Sequence, residues 1–123
     1  MTIADTDVLI DFLAGKGEAQ GVEELLRRGA LRTTAITRFE LLVGAKTSKQ
    51  LARLHQLLTA IPSLPLDDAA TDVAAEIRRS LGQSGNSVGM ADCLIAGIAV
   101  TSRCPLLTRN RRHFERIPGL KLA

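Results

Sequence analysis

Four short apolar runs recur along the chain, and between them the apolar residues return at helical spacing. This alternation constrains the fold more than any other feature. TIA (Thr2 to Ala4), LRTTA (Leu31 to Ala35), SLPL (63–66) and PLLT (Pro105 to Thr108) read as strands. Helical periods fall between them: Val22, Leu25 and Leu26; Leu51, Leu54, Leu57 and Leu58; Val73, Ala74, Ile77 and Leu81. Strands separated by helices are joined by crossovers, which favour parallel pairing with helices covering the sheet. The pattern therefore predicts an α/β fold, one domain over residues 1–123, with a mainly parallel sheet flanked by helices on both faces. Pro62, Pro65, Pro105 and Pro118 sit at element edges, where a missing N–H does least damage. GQSGNSVG (82–89) reads as the one flexible segment.

A length of 123 residues suits one domain with a core of its own. No apolar run reaches the roughly 20 residues that cross a bilayer, and Asp5 and Asp7 interrupt the only N-terminal stretch that could resemble a signal peptide. No membrane association is expected, and the expected compartment is the cytoplasm. Cys93 and Cys104 are too few for a disulfide framework and lack the paired spacing of a zinc site, so both read as reduced thiols. Sixteen Lys and Arg against thirteen Asp and Glu is a mild excess, but Arg109, Arg111, Arg112 and Arg116 crowd into eight residues. Such a run is either a solvated face or a set of phosphate contacts. With no Trp or Tyr and three Phe, a stacking platform for single strands is poorly supported.

The acids carry more information. In open parallel sheets, side chains just beyond the carboxyl ends of strands converge on one edge, where ligands bind. Asp5 follows the strand TIA, Glu40 lies in the first turns of the helix after LRTTA, and Asp92 opens MADCLIAGIAV, a helix apolar on nearly every side. Each also has a purely structural reading. Asp5 can cap the helix it precedes. Thr37-Arg38-Phe39-Glu40 has the form of a capping box, and Asp92 can complement a helix dipole. Three such caps on the same sheet edge, two in strongly apolar sequence, make a shared site the stronger reading. Clustered carboxylates repel, and a hard divalent cation, Mg²⁺ or Mn²⁺, relieves that repulsion. Such a centre suits phosphodiester hydrolysis. Zinc is disfavoured because His55 and His113 do not form a ligand pair.

ADTDVLI, TAITRFELLVGA, VGMADCLIAGIAV and LLTRNRRHFERIPGLKL, in that order over nearly the whole chain, resemble the PIN domain family and within it the VapC-type ribonuclease toxins of toxin–antitoxin pairs. The resemblance implies that Asp5, Glu40 and Asp92 are the catalytic acids and ligate Mg²⁺ or Mn²⁺, with Thr6 and Thr37 supporting them. Two departures stand out. Asp7 replaces the Asn common after the first acid, and neither Asn110 nor His113 supplies the fourth acid that the family places in this region. One ion is therefore expected to bind well and a second weakly or only with RNA, Asn110 reaching a metal-bound water.

The function implied is a metal-dependent endoribonuclease that inhibits translation once its antitoxin is removed, cleaving by in-line attack to leave 5′-phosphate and 3′-hydroxyl ends. Arg109, Arg111, Arg112 and Arg116 would contact RNA phosphates. A VapB-like antitoxin is implied as partner, laying an extended or helical segment over the active-site groove with a basic side chain toward the acids. A homodimer is expected from surplus apolar residues around Phe39 to Val43 and Leu51 to Leu58. Two rival readings are a non-catalytic PIN module that binds an antitoxin-like protein or RNA, and a haloacid-dehalogenase-type phosphatase opening with DTDVL. The phosphatase needs a downstream lysine, for which Lys46 and Lys121 are poorly placed.

Overall fold

A computed structural model describes residues 1–17, 19–83 and 88–123. Residues 84–87 of the 82–89 segment thus lie outside the described residues. The strands are β1 (Thr2–Ala4), β2 (Leu31–Thr34), β3 (Ser63–Leu64) and β4 (Leu106–Leu107), in the order β3-β2-β1-β4, and every pairing is parallel. The helices are α1 (Thr6–Leu13), α2 (Ala19–Arg27), α3 (Ala35–Gly44), α4 (Ser48–Ala60), α5 (Asp68–Gln83), α6 (Met90–Ser102) and α7 (Arg111–Phe114). The four strands expected from the sequence are all present, each trimmed by none to two residues.

Because successive strand residues face opposite sides of a sheet, two cores form. Ala4 and Leu31 point into one, built with α1, α2, α3 and α4 through Val8, Leu9, Val22, Leu41, Leu54 and Leu58. Ile3 and Leu106 point into the other, built with α5, α6 and α7 through Ile77, Ile95, Ala96, Ala99 and Phe114. Helices thus cover both faces of the sheet. Against expectation, Leu54, Leu57 and Leu58 are consumed by the first core and only Leu51 of that set stays exposed. Phe39 and Val43, one turn apart on α3, remain exposed at 67% and 69%.

Two local features fix the site's frame. α6 packs against α5 with Gly97 facing Ala70 and Ala74, so closely that a Cβ on Gly97 would lie 2.5 Å from the Ala70 carbonyl oxygen. Only a residue without a side chain allows that approach. Beyond β4, the chain pairs again: Leu106 N–H donates to the Lys121 carbonyl and Ala123 N–H to that of Leu106, so the C-terminal residues cover this edge of the sheet. The free thiols are as expected, Cys93 buried and Cys104 half-buried. Among the described residues, no helix is long and apolar enough to cross a membrane.

Candidate active site

The strand order changes direction at β1. The chain steps outward from β1 to β2 and β3, then returns to place β4 on the other side. Crevices at such switch points, outside the carboxyl ends of the strands, are where open α/β sheets bind ligands. Asp5 leaves β1 at this point and Thr108 leaves β4 beside it. The Asp5 N–H donates to the Leu107 carbonyl at 2.9 Å, extending the ladder past both strands.

Asp5 is the N-cap of α1, so the helix-cap reading holds for it, but the cap accounts for only one carboxylate oxygen: Oδ1 accepts from the Thr6 N–H at 2.8 Å. Oδ2 accepts from the Thr108 hydroxyl at 2.8 Å. The residue is 3% exposed. Burial pushes its carboxyl above the ordinary value of 3.8; the Thr108 and Thr6 hydrogen bonds pull it back, and the charges of Asp92 and Asp7 push it further up. Asp92, in the first turn of α6, is thus within electrostatic reach of Asp5. Its Oδ2 stands 3.5 Å from His113 Nδ1 on α7, an ion pair when the imidazole is protonated.

Glu40 corrects one expectation. α3 begins at Ala35, two residues before the supposed cap Thr37. Its N-cap is Thr34, whose hydroxyl accepts from the Thr37 N–H at 3.1 Å. Glu40 therefore sits in the second turn and closes no capping box. β2 passes into α3 with no intervening loop residue, so nothing in the sequence marks the earlier start. Instead, Thr6 Oγ1 lies 2.7 Å from Glu40 Oε1 and 3.0 Å from Thr37 Oγ1, and Thr34 Oγ1 lies 3.3 Å from Thr37 Oγ1. A hydroxyl has one proton, and a carboxylate is the stronger acceptor. Thr6 therefore donates to Glu40, Thr37 to Thr6 and Thr34 to Thr37, a directed chain of hydroxyls ending on the acid. Thr34 and Thr37 are fully buried, which fixes that chain.

The structure thus joins Asp5, Thr6, Thr37 and Glu40 through adjacent contacts and brings Asp92 near Asp5. Asp7 and Asn110 also meet: the Asn110 amide donates to Asp7 Oδ2 at 3.2 Å. Arg109 is held between Asp7 (3.6 Å) and Asp11 (3.2 Å), and Arg111 donates to the Ala123 carbonyl at 2.8 Å. Arg112 and Arg116 are exposed on or just beyond α7. The sequence reading passed over Thr108, Asp11 and the partnership of His113 with Asp92. Thr108 had a signal: it follows a strand on the same edge as Asp5.

Among the described residues, no three Asp, Glu, His or Cys side chains stand close enough together to hold a metal ion. The donor chemistry nevertheless fits Mg²⁺ or Mn²⁺. The available groups are carboxylate and hydroxyl oxygens, and the buried Asp5 carboxylate feels two further negative charges that a hard cation would offset.

The PIN domain family model matches residues 2–120. The chain belongs to the PIN domain family. Among curated PIN relatives, the tRNA(fMet)-specific endonuclease VapC of Shigella flexneri is 31% identical over 121 residues, spanning 95% of this chain and 92% of that protein. Ribonuclease VapC19 of Mycobacterium tuberculosis is 30% identical over 123 residues, 98% of both chains. The fold superposes on a chain of the DNA-bound VapBC complex of Salmonella typhimurium with a TM-score of 0.89 at 30% identity, over 99% of this chain and 96% of that one. Family membership removes the haloacid-dehalogenase reading.

Proposed function

We propose that this PIN domain is a metal-dependent endoribonuclease toxin of the VapC type, acting in the cytoplasm and restrained by a VapB-like antitoxin. The observation that carries the reading is the buried Asp5 carboxylate at the β1/β4 switch point, within electrostatic reach of Asp92 and linked through Thr6 to Glu40. A structural cap has no need of this depth of burial, which makes its charge costly.

Asp5, Asp92 and Glu40 would hold Mg²⁺ or Mn²⁺, which when bound lowers the pKa of the attacking water and offsets charge on the phosphoryl oxygens. Thr108 and the Thr6 N–H each take one Asp5 oxygen and fix the plane of its carboxylate. The hydroxyl chain from Thr34 holds Glu40 in one orientation, suited to accepting a proton from water. Arg112 and Arg116 supply exposed positive charge for RNA phosphates beside the site.

An apolar groove of about 400 Å³ between α1, α3 and α4, lined by Ile10, Leu13, Leu41 and Leu54 and reaching Glu40, suits an antitoxin segment laid over the acids. Phe39 and Val43 are an exposed apolar pair for self-association as a homodimer. The test is cleavage mapping on total RNA with purified protein, with and without Mg²⁺ or Mn²⁺. Metal-dependent cuts bearing 5′-phosphates, absent in Asp5→Ala and Asp92→Ala proteins that melt as folded, are expected. A folded wild type that binds RNA or antitoxin without cutting under any metal condition would instead establish the non-catalytic module.

A further inference from the structure

Arg109, in the C-terminal arginine cluster, pairs with two carboxylates, and both come from α1. Its Nη2 lies 3.6 Å from Asp7 Oδ2 and its Nε 3.2 Å from Asp11 Oδ2. The Asn110 amide donates to the same Asp7 oxygen at 3.2 Å. Asp11 is the most enclosed of these groups, 17% exposed against 54% for Arg109, and its carboxylate also packs near Gly17. The segment after β4 is thereby latched to the first two turns of α1, on the flank of the site defined by Asp5.

Asp7 lies two residues from Asp5, and its charge is felt there. Left alone, it would be a further carboxylate oxygen donor on this flank. The guanidinium and the Asn110 amide occupy it instead. A guanidinium is permanently charged and presents a rigid fork, so it delivers a fixed unit of positive charge where a cation would otherwise be drawn.

We infer that Arg109 is a positioning residue whose guanidinium, seated on Asp7 and Asp11, serves as a built-in counter-charge and limits the RNA-free site to a single divalent ion. This rests on the metal-dependent reading above and adds a residue role to it. Arg109 then acts through Asp7: it pairs with that carboxylate and offsets its charge.

The test is Mn²⁺ binding to RNA-free protein, by titration calorimetry and by the Mn²⁺ spin-resonance signal, neither of which requires activity. Wild type should take up one ion. Arg109→Gln should gain a second, bound at least about tenfold more tightly than any second ion in wild type, since an adjacent unit positive charge has been removed. Adding Asp7→Asn to that variant should abolish the second ion, and Arg109→Lys should keep the single-ion behaviour. Arg109 is half-exposed, so the variants are expected to fold, and thermal melts verify it. One ion in both wild type and Arg109→Gln would overturn the role of Arg109 and leave the metal-dependent reading intact. Two tight ions in wild type would also overturn it. No ion in either protein would overturn both readings. If Arg109→Gln instead weakens RNA binding and flattens its salt dependence by about one phosphate contact with metal stoichiometry unmoved, Arg109 is an RNA contact and the inference fails.

Discussion

Replacing Gly97 by alanine should damage stability and cleavage together, although the substitution adds one methyl group far down α6 from the acids. The new Cβ would stand 2.5 Å from the Ala70 carbonyl oxygen, 2.8 Å from Ala74 Cβ and 3.0 Å from Ala74 N. Ordinary contact begins near 3.4 Å, so the shortfall at the carbonyl is 3.4 minus 2.5, about 0.9 Å. Two of the three obstructing atoms are backbone within α5 and cannot rotate aside, so α6 must move as a body. Overpacking of this kind costs roughly 1–3 kcal/mol. Alanine regains up to about 1 kcal/mol of helix propensity. A backbone contact of 2.5 Å belongs in the upper half of that range, so the net loss should be about 1–2 kcal/mol, or roughly 3–10 °C in melting temperature for a domain of this size. Asp92 rides on the same helix, five residues before Gly97, and a displacement approaching 1 Å at a reacting centre lowers rate by on the order of 100-fold. Calorimetric melting and RNA cleavage are the paired assays. Gly82→Ala, with nothing within 4 Å of the new Cβ, is the control and should leave both readings near or slightly above wild type. A Gly97→Ala protein that melts at or above wild type and cleaves normally would refute the reasoning, because α6 would then have slack that this packing denies.

Thr33→Val should raise stability by about 1 kcal/mol in a denaturant titration, since the Thr33 hydroxyl is buried and is the one such side-chain polar atom among the described residues with no hydrogen-bond partner; a loss of stability would show that the hydroxyl is satisfied by water. Asp5 has a raised folded-state pKa, so its proton binds the native state more tightly than the unfolded one. That contribution is complete below the unfolded value near 3.8 and is lost as pH rises through the higher folded value. Metal-free Asp5→Asn should therefore melt above wild type at neutral pH and converge with it in acid, while added Mn²⁺ should stabilise only wild type; equal melting of the two metal-free proteins at every pH would contradict the burial argument. Glu40→Ala should abolish or strongly reduce cleavage with a stability change within about 1 kcal/mol, because it ends one partly exposed hydrogen bond and no capping box; a larger loss in an equilibrium melt would restore a structural role.

The sheet was legible because short strand-like runs alternate with helical periods and are bounded by residues that end them, as Ala30 and Gly29 precede β2 and Pro105 precedes β4. The position of Asp5 just beyond β1 was legible for a related reason: the rule about strand ends needs only chain order. The exact start of α3 was not. Thr34 and Thr37 both offer a hydroxyl, and the S/T-x-x-E spacing from Thr37 matches a capping box better than the true cap does. Nor could the partners of Arg109 be read. Asp7 and Asp11 lie about a hundred residues away in the chain, and the local run of positive charge suggested phosphate instead. Periodicity reports which face is buried, whereas side-chain pairing across a sheet depends on a topology that periodicity does not encode.

The contact between Thr108 and Asp5 joins residues 103 positions apart, and this has a meaning in time. At about 5–20 residues per second, a ribosome that has added Asp5 needs roughly 5–20 seconds more to add Thr108. Throughout that interval the first acid is already made but lacks the hydroxyl that orients it, and for most of it the helix that carries Asp92 is also missing. On the proposed reading, the growing polypeptide therefore has no complete catalytic site for nearly all of its synthesis.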